Sequence, residues 1–202
     1  MGSIIDLREF FTWRRSPVLV LVDLYHEHAA VRDLCADAGV SSAIANCRSA
    51  LALARAKRLP VAYVRHARQS SDPKLHGVAA TWLPGLQPTR ADMIFEREQH
   101  SCYASHAFAD MMDNVGGNFV MAGLFGEVAC LSTAVDAFHR YHRFTYLADA
   151  SASRTLGEIT ASTVQDYIAK LITLYGRVAD TAEWIATMSE PPTAQHGIHI
   201  EQ

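Results

Sequence analysis

The stretch from Gly117 to Ala137, GNFVMAGLFGEVACLSTAVDA, constrains the fold of this chain more than any other. It opens with FVMA, a continuous apolar run of the kind that forms a strand covered on both faces. Gly123 interrupts the run, and from Val128 onward apolar residues recur at steps of three and four, which is helical spacing. The stretch therefore predicts a buried strand that ends in a glycine turn and continues as a helix.

Similar units precede and follow this stretch. Apolar runs that predict strands occur at VLVLV, PVAYV, DMIF, FTYL and GRVA. Helical spacing occurs over residues 41–58, 158–175 and 181–188. The alternation predicts an α/β chain built around one parallel sheet. We expect its domain to span residues 17–190, after an N-terminal helical segment (1–16) and before a loose tail (191–202).

Composition narrows the possible partners. The chain has 202 residues, half of them hydrophobic, which is enough for a sizeable core. A formal charge of −3 and a pI near 6.3 provide no basic excess, so we expect no nucleic-acid partner. No apolar run approaches the roughly 18 residues of a membrane span, and the first residues do not resemble a secretory signal. We therefore expect a cytoplasmic protein with no membrane contact.

The cysteines do not form a recognisable metal or disulfide pattern. Four are present, widely spaced and without a C-x-x-C pair: Cys35, Cys47, Cys102 and Cys130. This spacing indicates neither a zinc knuckle nor a disulfide framework. We expect reduced thiols.

Charged residues follow two of the predicted strands. Asp23 ends the first strand, and Arg97 lies just past the third. In open α/β sheets the ligand pocket lies beyond the carboxyl ends of the strands, so both side chains are candidate catalytic groups. Asp23 is equally suited to capping a turn or the next helix, and Arg97 to a solvated loop unless an acid faces it.

The glycine turn is expected to line the same pocket, from Leu124 to Cys130. Backbone N–H groups at a helix start point at any bound anion, so Leu124, Phe125 and Glu127 are candidate substrate contacts. Glu127 would activate water there, or would simply interact favourably with the helix dipole as a first-turn acid. Trp82, in a long proline-rich loop, either lines the pocket or plugs against the domain surface.

Four segments carry a family resemblance: VLVLVD, WLPGLQP, IFEREQHSCY and, above all, AGLFGEVACLSTAVDAFHR followed by LADASAS. They resemble the isochorismatase-like hydrolase superfamily, from Pro17 to about Met188. The resemblance implies a three-layer α/β/α fold with a mostly parallel, Rossmann-like sheet in a single domain. It also implies a site made by an aspartate ending the first strand, a lysine after the third and a cysteine in the helix turn.

The resemblance places Asp23 at the aspartate position and Arg97 at the lysine position. Amidohydrolase-type members carry their cysteine at the register of Ala129, so the thiol of Cys130 is displaced by one residue, or about 100° around a helix. The branch that resembles true isochorismatases carries a small residue followed by cysteine at these two places. Its pattern, G-x-x-x-x-x-[GA]-C-x-[ST]-T-A-x-D-A-F, fits this chain and implies a site without a thiol nucleophile.

Further expectations follow from the resemblance. His66, just after the second strand, and Tyr103, in the segment after Arg97, become candidate substrate contacts. The peptide bond between Leu124 and Phe125 would be cis. Some relatives bind a metal through an Asp-x-His cluster that is absent around His66, so we expect no metal. Family members usually assemble, so a homo-oligomer, a dimer or larger, is expected.

Together these features predict acid-assisted hydrolysis of a small carboxylate-bearing molecule, with Asp23 as the acid, no covalent thiol intermediate and no cofactor. Arg97 would favour the ionised form of Asp23 and is suited to clamping a substrate carboxylate. Two other functions stay open. The chain would be a cysteine amidohydrolase if Cys130 reached the pocket, or an inactive relative that binds a small molecule or serves as an assembly subunit.

Overall fold

The computed structural model describes residues 16–25, 38–67 and 81–189. The predicted N-terminal helical segment and the predicted tail lie outside these ranges, as does the middle of the long loop that contains Trp82.

A single parallel sheet forms the centre of the described structure. Its strands run in the order β3-β2-β1-β4-β5-β6, and every neighbouring pair is parallel. This is the strand order of the Rossmann fold, so the predicted fold class is confirmed. The strands are β1 (Val18–Val22), β2 (Val61–His66), β3 (Met93–Arg97), β4 (Asn118–Leu124), β5 (Arg143–Ala152) and β6 (Arg177–Ala179).

The central strand β1 explains why its sequence is a continuous apolar run. Leu19 and Leu21 pack into one hydrophobic layer, while Val18 and Val20 pack into the other. Successive side chains of a strand point to opposite faces, so a strand covered on both sides needs apolar residues at every position. The run VLVLV meets that need in full, and all five residues are buried.

Five helices in the described residues cover the two faces of the sheet: α1 (Ala38–Ala56), α2 (His106–Asn114), α3 (Leu131–His139), α4 (Ala161–Ile172) and α5 (Thr181–Ser189). Helices α1 and α5 contribute to one hydrophobic layer, and α2, α3 and α4 to the other. The sequence did not predict α2, which has nine residues. Among the described helices, none is long and apolar enough to cross a bilayer.

The chain reverses its direction of winding between β1 and β4, which are neighbours in the sheet. Gly123 makes this pairing possible, because a Cβ at that position would lie 2.1 Å from the carbonyl oxygen of Val22. Its φ of 144° also falls where residues with a side chain rarely lie. The end of β4 therefore lies directly against the end of β1, at the point where open α/β sheets hold their ligands.

The helix after β4 begins in an unusual way. A single π-helical turn spans Gly126–Cys130 before α3 begins, and Phe125 precedes it in the left-handed region, with φ 59°. The expectation of a cis bond between Leu124 and Phe125 is wrong, since no peptide bond among the described residues is cis. The direction change at this turn is made by the conformation of Phe125. π-turns of this kind occur frequently at functional sites.

Candidate functional site

Asp23 lies at the carboxyl end of β1 and is buried. Its backbone adopts a left-handed conformation, with φ 55°, which is uncommon outside glycine although aspartate tolerates it better than most residues. Arg97 forms a salt bridge to its Oδ2, and the backbone N–H of His66 donates to its Oδ1 over 3.2 Å. Both partners favour a charged carboxylate over a neutral carboxylic acid.

Arg97 is held as firmly as its partner. The side chain is only 3% exposed; Nη2 donates to Asp23, and Nη1 donates to the backbone carbonyl of Gln99 over 2.7 Å. Nε is buried and has no hydrogen-bond partner among the described residues. Each Nη group therefore donates at least one of its two N–H groups within the protein. A substrate carboxylate clamped by Arg97, as the sequence suggested, would have to share this guanidinium with Asp23 and the Gln99 carbonyl.

Strand order explains how residues so distant in sequence meet. Asp23, His66 and Arg97 stand at the carboxyl ends of β1, β2 and β3, which lie side by side in the sheet. The register pairs Val22 with Val64 and His66 with Arg97, which brings the three ends level. Parallel strands all present their carboxyl ends at one edge, so the polar residue after each strand faces the same crevice.

A cavity of about 260 Å³ opens at this edge of the sheet. It is lined by Asp23, Tyr25, His66, Arg97, His100, Phe125, Val128, Ala129 and Arg154. The structure thus brings together five of the residues singled out in the sequence, namely Asp23, Arg97, His66, Phe125 and Ala129. Asp23 is the only carboxylate that lines the cavity within the described part of the chain.

Ala129 lines the cavity, whereas Cys130 does not. The π-turn rewinds the start of the helix but does not turn the thiol toward the crevice. Cys130 is fully buried and packs in the hydrophobic layer to which α2, α3 and α4 contribute. Burial raises the pKa of the Cys130 thiol well above its usual value, and the nearby Cys102 and Asp23 raise it further. A thiol in this state is protonated at neutral pH and is a poor nucleophile.

The other predicted contacts lie elsewhere. Trp82 packs edge-on against Tyr63, with ring centroids 5.1 Å apart, and does not line the cavity. The hydroxyl of Tyr103 hydrogen-bonds to Nδ1 of His142 over 2.7 Å, away from the cavity lining. Leu124 is buried in β4 and does not line the cavity.

Glu127 is present at the crevice but not as a lining residue. Its side chain is 4% exposed and accepts a hydrogen bond from Nε of Arg154 over 2.6 Å. Its second oxygen lies 3.4 Å from the backbone nitrogen of Arg154. Both carboxylate oxygens are thus engaged by one residue, which leaves Glu127 poorly placed to activate water.

Sequence reasoning missed three lining residues, Tyr25, His100 and Arg154, whereas Val128 lies within the predicted lining from Leu124 to Cys130. For Arg154 a signal was present, because it follows the carboxyl end of β5 closely, just as Asp23 and Arg97 follow theirs. The same rule that selected those two residues would have selected Arg154. Tyr25 and His100 lie in loops whose path depends on packing rather than on periodicity.

The imidazole of His66 has a defined tautomer. Its Nδ1 lies 2.9 Å from the backbone carbonyl of Ala67, and a carbonyl can only accept, so Nδ1 carries the proton. Nε2 of the neutral ring is then an acceptor. His66 therefore adds a hydrogen-bond acceptor to a cavity in which Arg97 is already paired.

The described residues contain no group of three or more His, Cys, Asp and Glu side chains arranged to hold a metal ion. The polar groups at the cavity instead form ion pairs, Asp23 with Arg97 and Glu127 with Arg154. This arrangement can transfer protons through Asp23 and can bind an anion through a guanidinium group.

Comparison with known proteins gives a consistent result. The model of the isochorismatase domain matches residues 17–183. No curated protein shows significant sequence similarity to the chain.

Among solved structures, an isochorismatase from Pseudomonas putida KT2440 is 20% identical, with a TM-score of 0.71, and the match covers 84% of this chain and 90% of that one. A cysteine hydrolase from Pseudomonas syringae pv. phaseolicola 1448A is 20% identical, with a TM-score of 0.71 and coverage of 86% and 92%. An N-carbamoylsarcosine amidase from Thermoplasma acidophilum is 22% identical, with a TM-score of 0.65 and coverage of 88% and 99%. At these identities the structural matches establish the fold alone.

Proposed function

The chain belongs to the isochorismatase family of hydrolases, and from that membership we propose that it hydrolyses a small carboxylate-bearing molecule in the cavity beside Asp23. Asp23 is the group that transfers the proton, and no covalent thiol intermediate forms. The observation that carries the proposal is the composition of the cavity wall. Asp23 is its only described carboxylate, and Ala129, at the position where the family resemblance places the nucleophilic cysteine, also lines it.

The chemistry that suits this wall is hydrolysis of an enol ether. The terminal alkene carbon takes a proton from Asp23, which produces an oxocarbenium ion. Water then adds to that ion, and the resulting hemiketal breaks down to a carbonyl compound and an alcohol. A single positioned acid is sufficient for this sequence, and general acid catalysis typically contributes about 10²- to 10⁴-fold.

The pH dependence of the rate tests the acid role of Asp23. Arg97 and the N–H of His66 contact this carboxyl group, and only its protonated form can donate a proton to the substrate. Acid catalysis therefore predicts that kcat/KM falls as the pH rises from about 6 to about 8. Initial rates with isochorismate across that range test this. A rate that rises with pH and then levels off would show that Asp23 accepts a proton instead.

A thiol mechanism is the second candidate, since the family fold is shared with a cysteine hydrolase. It requires Cys130 to ionise and to reach the substrate. Its complete burial and raised pKa oppose both steps.

Replacing Cys130 with alanine is therefore expected to change kcat/KM by no more than about twofold, because Cys130 does not line the cavity. The cost should appear in stability, about 1 kcal/mol for the lost buried sulfur. Rates should be measured with isochorismate and with simple amides. Loss of amide turnover in this variant, with stability nearly unchanged, would support the thiol mechanism.

The oligomeric state, cellular location and partner proposed for this protein are those that the sequence predicts. We expect a homo-oligomer in the cytoplasm, with a small-molecule substrate as the partner. A chain that turns over neither isochorismate nor amides, yet binds small carboxylates, would instead be a binding relative or an assembly subunit.

A further inference from the structure

Arg154 has a feature that the proposed mechanism does not use. It lines the cavity, and its side chain is 43% exposed. Its Nε is committed to Glu127, but neither Nη group has a hydrogen-bond partner among the described residues. The guanidinium therefore presents an unpaired donor edge at the cavity, whereas each Nη group of Arg97 already donates to a protein oxygen.

The exposed side chain is nevertheless fixed in place. Glu127 holds it through Nε over 2.6 Å, and the Arg154 guanidinium carbon lies 5.2 Å from the centre of the Phe125 ring. Glu127 is itself buried, and it also faces the backbone nitrogen of Arg154. An arginine that is held before the ligand arrives loses less conformational freedom on binding than a free one.

The charges in the cavity favour one position for an anionic group. A carboxylate near Asp23 would be repelled, and the compensating charge of Arg97 is already engaged by Asp23. The Nη edge of Arg154 offers two parallel donors, the geometry that pairs with a carboxylate. A carboxylate held there leaves the remainder of a small molecule to face Asp23 and the acceptor Nε2 of His66.

We propose that Arg154 binds the carboxylate of the substrate and that Glu127 is the positioning residue that fixes Arg154 for this task. The inference rests on the proposed function, because it assigns the recognition group of the same cavity. Arg154 then determines specificity: it selects a charged carboxylate over its neutral amide counterpart. Glu127 contributes only through Arg154.

Binding of benzoate and benzamide separates recognition from catalysis. The two probes share a ring and differ in charge, and titration calorimetry measures both without turnover. Wild-type protein should bind benzoate at least about tenfold more tightly than benzamide. Arg154→Gln should remove this preference, and Arg154→Lys should retain part of it. Arg177→Gln, which breaks an exposed ion pair with Glu183, is the matched control and should leave the preference unchanged.

Variants of Glu127 test the positioning role. Glu127→Gln keeps an acceptor for Nε and should retain most of the preference for benzoate, whereas Glu127→Ala should lose most of it. Thermal unfolding of each variant separates this from a structural role, because a mere structural clamp would lower stability and leave the preference intact. Equal benzoate binding in wild type and Arg154→Gln would overturn the inference, as would wild-type protein that binds neither probe. Asp23→Asn should bind benzoate normally, so a failure of hydrolysis is distinguished from a failure of recognition.

Discussion

Replacing Asp23 with asparagine is expected to lower kcat/KM by about 10²- to 10⁴-fold. Asparagine has nearly the same shape, and its one oxygen can accept from either Arg97 or the N–H of His66, which donate to different oxygens of Asp23. It cannot donate or accept the proton of the reaction. The loss should appear in kcat with little change in KM, since the carboxylate of the substrate is assigned to Arg154. Steady-state kinetics with the best-turned-over substrate provides the measurement.

The control for this variant is a check that it remains folded. Urea unfolding should show a cooperative transition, and benzoate binding should persist. A loss of activity is then not caused by a loss of folded protein. Retention of more than a tenth of the wild-type rate would contradict the role of Asp23 in proton transfer.

Replacing Arg97 with methionine is expected to have the largest effect on stability. Asp23 would lose the guanidinium that faces its Oδ2, and removing one partner of a buried ion pair costs about 3–5 kcal/mol. The free energy of unfolding in urea measures the loss. The burial of both side chains is the physical reason.

A double-mutant cycle identifies the source of that loss. The variant that combines Asp23→Asn with Arg97→Met should be more stable than Arg97→Met alone, because the buried carboxylate charge that Arg97 balanced is removed with it. Arg177→Met is the control: its ion pair with Glu183 is about half exposed on both sides, so it should cost less than about 1 kcal/mol. If Arg97→Met destabilises the protein as little as Arg177→Met does, the ion pair between Asp23 and Arg97 is not buried in solution.

The sheet was predictable because burial on both faces leaves a clear record in the sequence. Each of the strands, β1 to β6, corresponds to an apolar run that was recognised beforehand. Helix α2 was missed because its buried residues, Phe108, Ala109 and Met112, span little more than one helical turn. Their apolar pattern therefore does not repeat often enough to distinguish a helix from a loop.

The site was predictable to the extent that it depends on strand ends. Asp23, His66 and Arg97 each follow a recognisable strand, and strand order alone brings them together. Arg154 follows the same rule, two residues after the end of β5, but was not selected. The tertiary contacts that define its role, with Glu127 and Phe125, cannot be deduced from spacing.

Both the sequence and the structure are needed to decide which of Ala129 and Cys130 faces the cavity. The sequence indicated which of the two stands at the nucleophile position, but it could not exclude a rewound helix that brings the thiol to the pocket. The structure does contain a rewound turn, over Gly126–Cys130, and the thiol still faces the core. The burial of Cys130 in the hydrophobic layer with α2, α3 and α4 is a tertiary contact, which helical periodicity alone does not reveal.

The most direct test is to compare Asp23→Asn and Cys130→Ala on the same substrate, with isochorismate and a simple amide assayed in parallel. Catalysis by the carboxylate without a thiol predicts that kcat/KM falls by at least about 10²-fold in Asp23→Asn and stays within about twofold of wild type in Cys130→Ala. Loss of turnover in Cys130→Ala, or full turnover in Asp23→Asn, would contradict it.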